Sequence, residues 1–137
     1  MPSRTQSAEC GRPEASARLR QAEAFITVAD LVLGDQSDLA TPSVSAALAV
    51  LAGIAACDAA CCAALGLRAR GQAHREAIAI VSAVRPEGPR MARHLSALLA
   101  AKDESHYGVQ LITDAIAHRL VAHARALVVL ARTSVQR

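Results

Sequence analysis

The sequence predicts an all-α fold, an up-and-down bundle of four to five helices, on three observations. A long apolar run rich in Ala and Leu extends from Ser43 to Leu67, and further segments repeat apolar residues at three-four spacing. No segment alternates apolar and polar residues convincingly, so no strands are expected.

In chain order, residues 1–13 are small, polar and Pro-containing and read as a disordered leader, and residues 14–137 read as a single helical domain. A first helix is expected from about Glu14 to Leu33. Ala22, Phe25, Ile26, Ala29, Val32 and Leu33 share one face, Arg18, Gln21 and Glu23 fall mostly off it, and Gly34 stops it. After the loop GDQSDLATP, Pro42 suits a first helical turn with Thr41 as its cap, and the central helix runs to Gly66. Val44, Leu48, Leu51, Ala55, Asp58, Cys62 and Leu65 form one stripe of it, and Ala47, Val50, Ile54, Cys57 and Cys61 the neighbouring one. So wide an apolar arc belongs to a helix with neighbours on two or more sides.

The connection RARGQAH leads to a shorter helix over about Ala73 to Val84, and RPEGP breaks the chain again. Pro89 to Ala101 reads as a fourth helix with Met91, Leu95, Leu98 and Leu99 inward. AKDESHYG is either a polar interruption or a stretch through which that helix continues. Val109 to Thr133 is the last helix, with Ile112, Ile116, Leu120, His123, Leu127 and Leu130 in register. The helices beginning at Ser43 and Val109 should form the centre of the bundle.

Composition narrows the functional classes. All but one of the 15 basic residues are arginine, yet net charge is only +3, so affinity for nucleic acid must come from local clusters. Phe25 and Tyr107 are the only aromatics, which excludes a base-stacking platform as the main binding device. The apolar run is long enough to test as a membrane span, since roughly 20 apolar residues cross a bilayer. It is mostly Ala, contains Asp58 and lacks an aromatic belt, so no membrane span is expected. The N-terminal residues have no apolar core of the secretory kind, which favours a cytoplasmic chain whose four cysteines are thiols.

Several residues stand out chemically. Arg68, Arg70, His74 and Arg75 form the densest basic cluster; the alternative reading is solvated cations at the C-terminal dipole of the central helix. Asp58 lies on the apolar arc and needs a partner, with Arg68, His74, His106, Tyr107 and His123 as candidates, for catalysis or for a buried structural hydrogen bond. Lys102, Asp103, His106 and Tyr107 form a compact polar group that reads as a second nucleic-acid or nucleotide contact or as a solvated turn. His123 reads as a core histidine, His118 and Asp114 as a helix-surface pair, and His94 with Arg90 and Arg93 as a solvated basic edge. Cys57, Cys61 and Cys62 lack the spacing of a zinc site and read as small core hydrophobes, so no metal or other cofactor is expected.

The stretch LAVLAGIAACDAACCAALGLRARGQAHREA, followed by AKDESHYG and a long closing helix, resembles the HEPN superfamily, in particular small stand-alone HEPN-domain proteins of high-GC bacteria. The resemblance covers most of the chain from Ser43 onward. It implies a bundle of four or five helices, commonly a homodimer. It also implies metal-independent, toxin-like endoribonuclease activity carried by an arginine and a histidine four to six residues apart, here Arg68 and His74. Histidine suits activation of a ribose 2′-hydroxyl, and the arginine fork suits charge developing on phosphorus. Arg70, Arg75, Asp58, Lys102, His106 and Tyr107 are then the candidate RNA-binding residues. The second reading is a catalytically inert HEPN-like module that dimerises and binds protein, nucleotide or RNA. It rests on Ala69, where family nucleases usually have a polar residue, on the modest net charge and on the shortage of aromatics. An antitoxin or a nucleotidyltransferase is the class of protein partner left open.

Overall fold

The Ala-rich run folds as α2 (Thr41–Leu65), and from Ala55 to Cys62 every one of its residues is buried. The computed structural model describes residues 7–35, 37–39, 41–71, 74–107 and 111–137, with backbone alone for 103–107. Around α2 lie α1 (Arg12–Leu33), α3 (His74–Ser82), α4 (Gly88–Tyr107) and α5 (Asp114–Gln136). Where its neighbours come closest, a central helix tolerates only small side chains. A Cβ at Gly53 would collide with Leu98 Cδ1 and lie 3.2 Å from Leu127 Cδ1, so α4 and α5 both approach α2 at that glycine.

The all-α bundle is therefore the observed architecture, with α2 at its centre. By length and composition alone α2 could also cross a membrane, but 67% of its most apolar window is buried inside the bundle.

Polar contacts fix how the helices run. Ser45 Oγ on α2 donates to the Ala29 carbonyl on α1 at 2.8 Å near the turn between them, and Asp58 meets Arg18 farther from it, so α1 and α2 run antiparallel. Arg125 pairs with Asp30, and Arg132 Nη2 lies 3.2 Å from Glu23 Oε2, so α5 also runs antiparallel to α1. At the far end of that seam the Arg12 guanidinium donates to the carbonyls of Val135, at 2.8 Å, and Arg137.

Several boundaries differ from the sequence expectation. α4 continues through the polar segment to Tyr107, the second of the two readings. α5 begins at Asp114 rather than Val109, because Thr113 is its cap: Thr113 Oγ1 accepts from the Ile116 amide at 3.2 Å. Of the leader expected over 1–13, residues 1–6 lie outside the described residues, and the rest is not disordered. Ser7–Glu9 forms strand β1, paired antiparallel with β2 (Leu67–Ala69) in the register Ser7↔Ala69, Ala8↔Arg68, Glu9↔Leu67, and α1 already starts at Arg12. The expectation of no strands is thus corrected. A three-residue ladder between segments this far apart in sequence is too short to alternate visibly. The expectation of four thiols is corrected as well: Cys10 and Cys62 form a disulfide with a Cα separation of 5.2 Å, while Cys57 and Cys61 are free and buried.

His94 and His123 are a pair, not a solvated edge and a separate core residue. Their Nδ1 atoms are 2.9 Å apart across α4 and α5, which requires one ring to donate and the other to accept. Burial lowers the pKa of His94 from its ordinary value of 6.5, assisted by the charges of His123, Arg90 and Arg93. A base with a lowered pKa holds fewer protons folded than unfolded, so stability from this group is present above 6.5 and is lost as pH falls through that value. Denaturant unfolding between about pH 7.5 and about pH 5.5 should show a steeper acid-side loss for the native protein than for His94→Gln. Equal slopes would remove this pair from the account.

Candidate functional site

Where α2 ends, the chain turns sharply. Gly66 takes a φ of 70° just past the last helical residue, the left-handed conformation that glycine adopts without strain at helix ends. β2 follows, and Gly71, at φ 77°, closes it. Arg68 is thus carried on a short strand held between two left-handed glycines.

Arg68 forms one wall of a cavity of about 230 Å³ beside the second half of α2. Arg18 and Asp58 complete its polar side, and Ile54, Leu95 and Leu99 are among the residues that make it apolar on the other. Asp58 is paired with Arg18, a residue outside the candidate set: Arg18 Nε and Nη2 approach Asp58 Oδ2 at 3.0 and 2.9 Å. A single carboxylate oxygen accepts both arms of the guanidinium. Burial pushes the Asp58 carboxyl above its ordinary value, against the opposing charge and hydrogen bonds of Arg18 and the weaker influence of Arg68.

The pairing was legible in principle. Two helices joined by a short loop bring residues equidistant from that loop side by side, and Arg18 and Asp58 lie at nearly equal distances from the α1–α2 turn, as Ala29 and Ser45 do nearer to it. Reading Arg18 as lying off the inner face hid it, because a long side chain reaches inward from the edge of a helix.

The predicted site residues separate. Arg68 lines the cavity, and its guanidinium donates to its neighbour's carbonyl, Ala69 O, at 3.3 Å. His74 begins α3 partly buried, one turn before Ala77, which lines the same cavity. Arg70 and Arg75 are exposed to solvent. Lys102 is half-buried on α4 and is not among the residues lining the cavity. The side chains of Asp103, His106 and Tyr107 lie outside the described residues. His118 Nδ1 sits 3.5 Å from Asp114 Oδ2, the expected surface pair.

Cys57 and Cys61 also line the cavity. Burial, followed by the nearby charge of Asp58, pushes the Cys61 thiol up to about 12, and burial likewise raises Cys57. Thiols so strongly protonated are not nucleophiles at neutral pH. Among the described residues no three His, Cys, Asp or Glu side chains converge as metal ligands.

Chemically, the arrangement offers one arginine fork committed to a carboxylate, a second with donors to spare, and an apolar wall. That suits an anionic group attached to an apolar or heterocyclic body. A broader hollow of about 490 Å³, bordered by Asp35, Asp38, Leu39, Leu111 and Asp114, lies toward the other end of α2 and carries the opposite charge. Comparison with protein-family models, curated proteins and solved structures finds no match for this chain.

Removing Arg18 alone leaves a buried carboxylate unpaired, so Arg18→Met should lower unfolding free energy by about 2–3 kcal/mol. Replacing both partners, Arg18→Met with Asp58→Leu, should recover most of that loss. Additive losses in the double variant would mean that the pair is not the buried contact described.

Proposed function

We propose that this chain is a HEPN-like, RNA-directed protein that cleaves RNA without a metal ion, acting as a cytoplasmic homodimer. What supports the reading is the position of Arg68: it lines a cavity, and among the described residues its side chain donates to the adjacent carbonyl of Ala69. His74 stands one turn from that cavity on α3. In the proposed reaction His74 removes the proton from a ribose 2′-hydroxyl and the oxygen attacks the adjacent phosphorus. Arg68 stabilises the extra negative charge on the phosphorane, and the 5′-oxygen leaves as its bond to phosphorus breaks, taking a proton from water. The products are a 2′,3′-cyclic phosphate and a 5′-hydroxyl end. Arg70 and Arg75, both exposed, would hold flanking phosphates. A second copy would double this modest local charge. Exposed apolar side chains at helical spacing, Val28 and Leu31 on α1 and Val44 and Leu51 on α2, offer surface for one.

The inert binding module is favoured by one observation, the Asp58 carboxylate that shares the cavity with Arg68 and offsets its charge. Incubating purified protein with mixed RNA in EDTA separates the readings. Native protein should cleave, and His74→Ala and Arg68→Ala should each lose at least about a hundredfold in rate while keeping their helical circular dichroism. A folded native protein that binds RNA without cutting it would replace the nuclease with the binding module.

A further inference from the structure

The Cys10–Cys62 disulfide joins the segment just after β1 to the last turns of α2. Alongside it, β1 is held by three residue pairs with β2 and by the Cys10 amide donating to the Gly66 carbonyl at 3.0 Å. A two-stranded ribbon this short is not stable by itself in water. The bundle, by contrast, has ties of its own at the start of α1. Two residues beyond the disulfide, Arg12 ties the start of α1 to the C-terminal carbonyls of Val135 and Arg137. The Arg18–Asp58 pair holds the next turns of α1 against α2.

We propose that the Cys10–Cys62 disulfide is a redox latch. Closed, it clamps β1 on β2 and fixes Arg68, the residue opposite Ala8, at the cavity. Open, it releases β1, and the segment between Gly66 and Gly71 moves while the helices stay folded. The reductant is a dithiol. Its first thiolate attacks Cys10 Sγ, the half-buried side of the bond, and Cys62 leaves as a thiolate that takes up a proton. Its second thiolate then displaces the Cys10 sulfur, which is likewise protonated. Two electrons pass to the protein, and the reductant departs as its own cyclic disulfide. Cys61 and Cys57 stand close by but do not join the exchange, because burial keeps their thiols protonated. In a reducing compartment disulfides are typically transient and sensing, so closure there would report oxidative conditions.

The consequence for RNA rests on Arg68 serving the proposed site; the latch itself does not. Hydrogen exchange followed by mass spectrometry, on oxidised and dithiothreitol-reduced native protein, reads the latch directly. On reduction, amides in 7–10 and 67–71 should exchange at least tenfold faster, with α2 and α5 protection and circular dichroism unchanged. Cys10→Ser should exchange rapidly in both conditions. Loss of protection throughout the bundle would make the bond a structural staple and overturn the proposal. Unchanged exchange in 67–71, or Cys10 recovered as a thiol from oxidised protein, would overturn it as well. In parallel, oxidised and reduced protein should differ at least fivefold in RNA cleavage or binding, a difference that Cys10→Ser abolishes. A protein inert toward RNA that still shows the exchange change would retain the latch and lose only the nuclease reading.

Discussion

A charged group in the wholly buried stretch of a helix constrains everything around it. Asp58 lies in the run from Ala55 to Cys62 in which every residue is buried, and a carboxylate there is tolerable only with a cation delivered to it. Arg18 delivers that cation from α1, so the register of the α1–α2 hairpin and the ionisation of Asp58 are a single condition. The surrounding Ala and Gly residues give the other half of the condition, since they let α4 and α5 close over α2 with the leucines at 98 and 127 seated against Gly53.

The same pair shapes the surface where function is proposed. Arg18 is committed to Asp58, and the second arginine at the cavity, Arg68, has among the described residues one side-chain bond, to the Ala69 carbonyl. Arg68 rides on a three-residue strand between two left-handed glycines; that strand lies beside α2 and α3, with Ala69 packed on the core, and it pairs with β1, which a disulfide ties to the end of α2. A helical body with such a side chain on a short tethered segment is a natural basis for the proposed control, since a local opening can leave the core folded.

Much of this architecture was legible from periodicity. The five helices and the central place of α2 follow from apolar spacing and from the glycines and prolines between segments. What escaped was contact between positions distant in sequence. The Arg18–Asp58 pair depends on hairpin register, the β1–β2 ladder on two three-residue segments nearly sixty positions apart, and the disulfide on a cysteine within a stretch that reads as a leader. The start of α5 was misread for a local reason. Ile112 and Val109 continue the apolar spacing, but the Thr113 hydroxyl caps the helix after them. The basic cluster was legible as residues and not as geometry, for Arg68 turns to the cavity while Arg70 and Arg75 face solvent.

The proposal that RNA binds at the cavity beside Asp58 is tested most directly by an NMR titration of native protein with a short single-stranded RNA, following amide and arginine Nε resonances. The account predicts that Arg68 Nε and the amides from Leu67 to Ala77 shift first and saturate together, with smaller changes at Arg18. Shifts confined to the acidic hollow around Leu39 and Leu111, or spread evenly over exposed arginines such as Arg119 and Arg132, would contradict it.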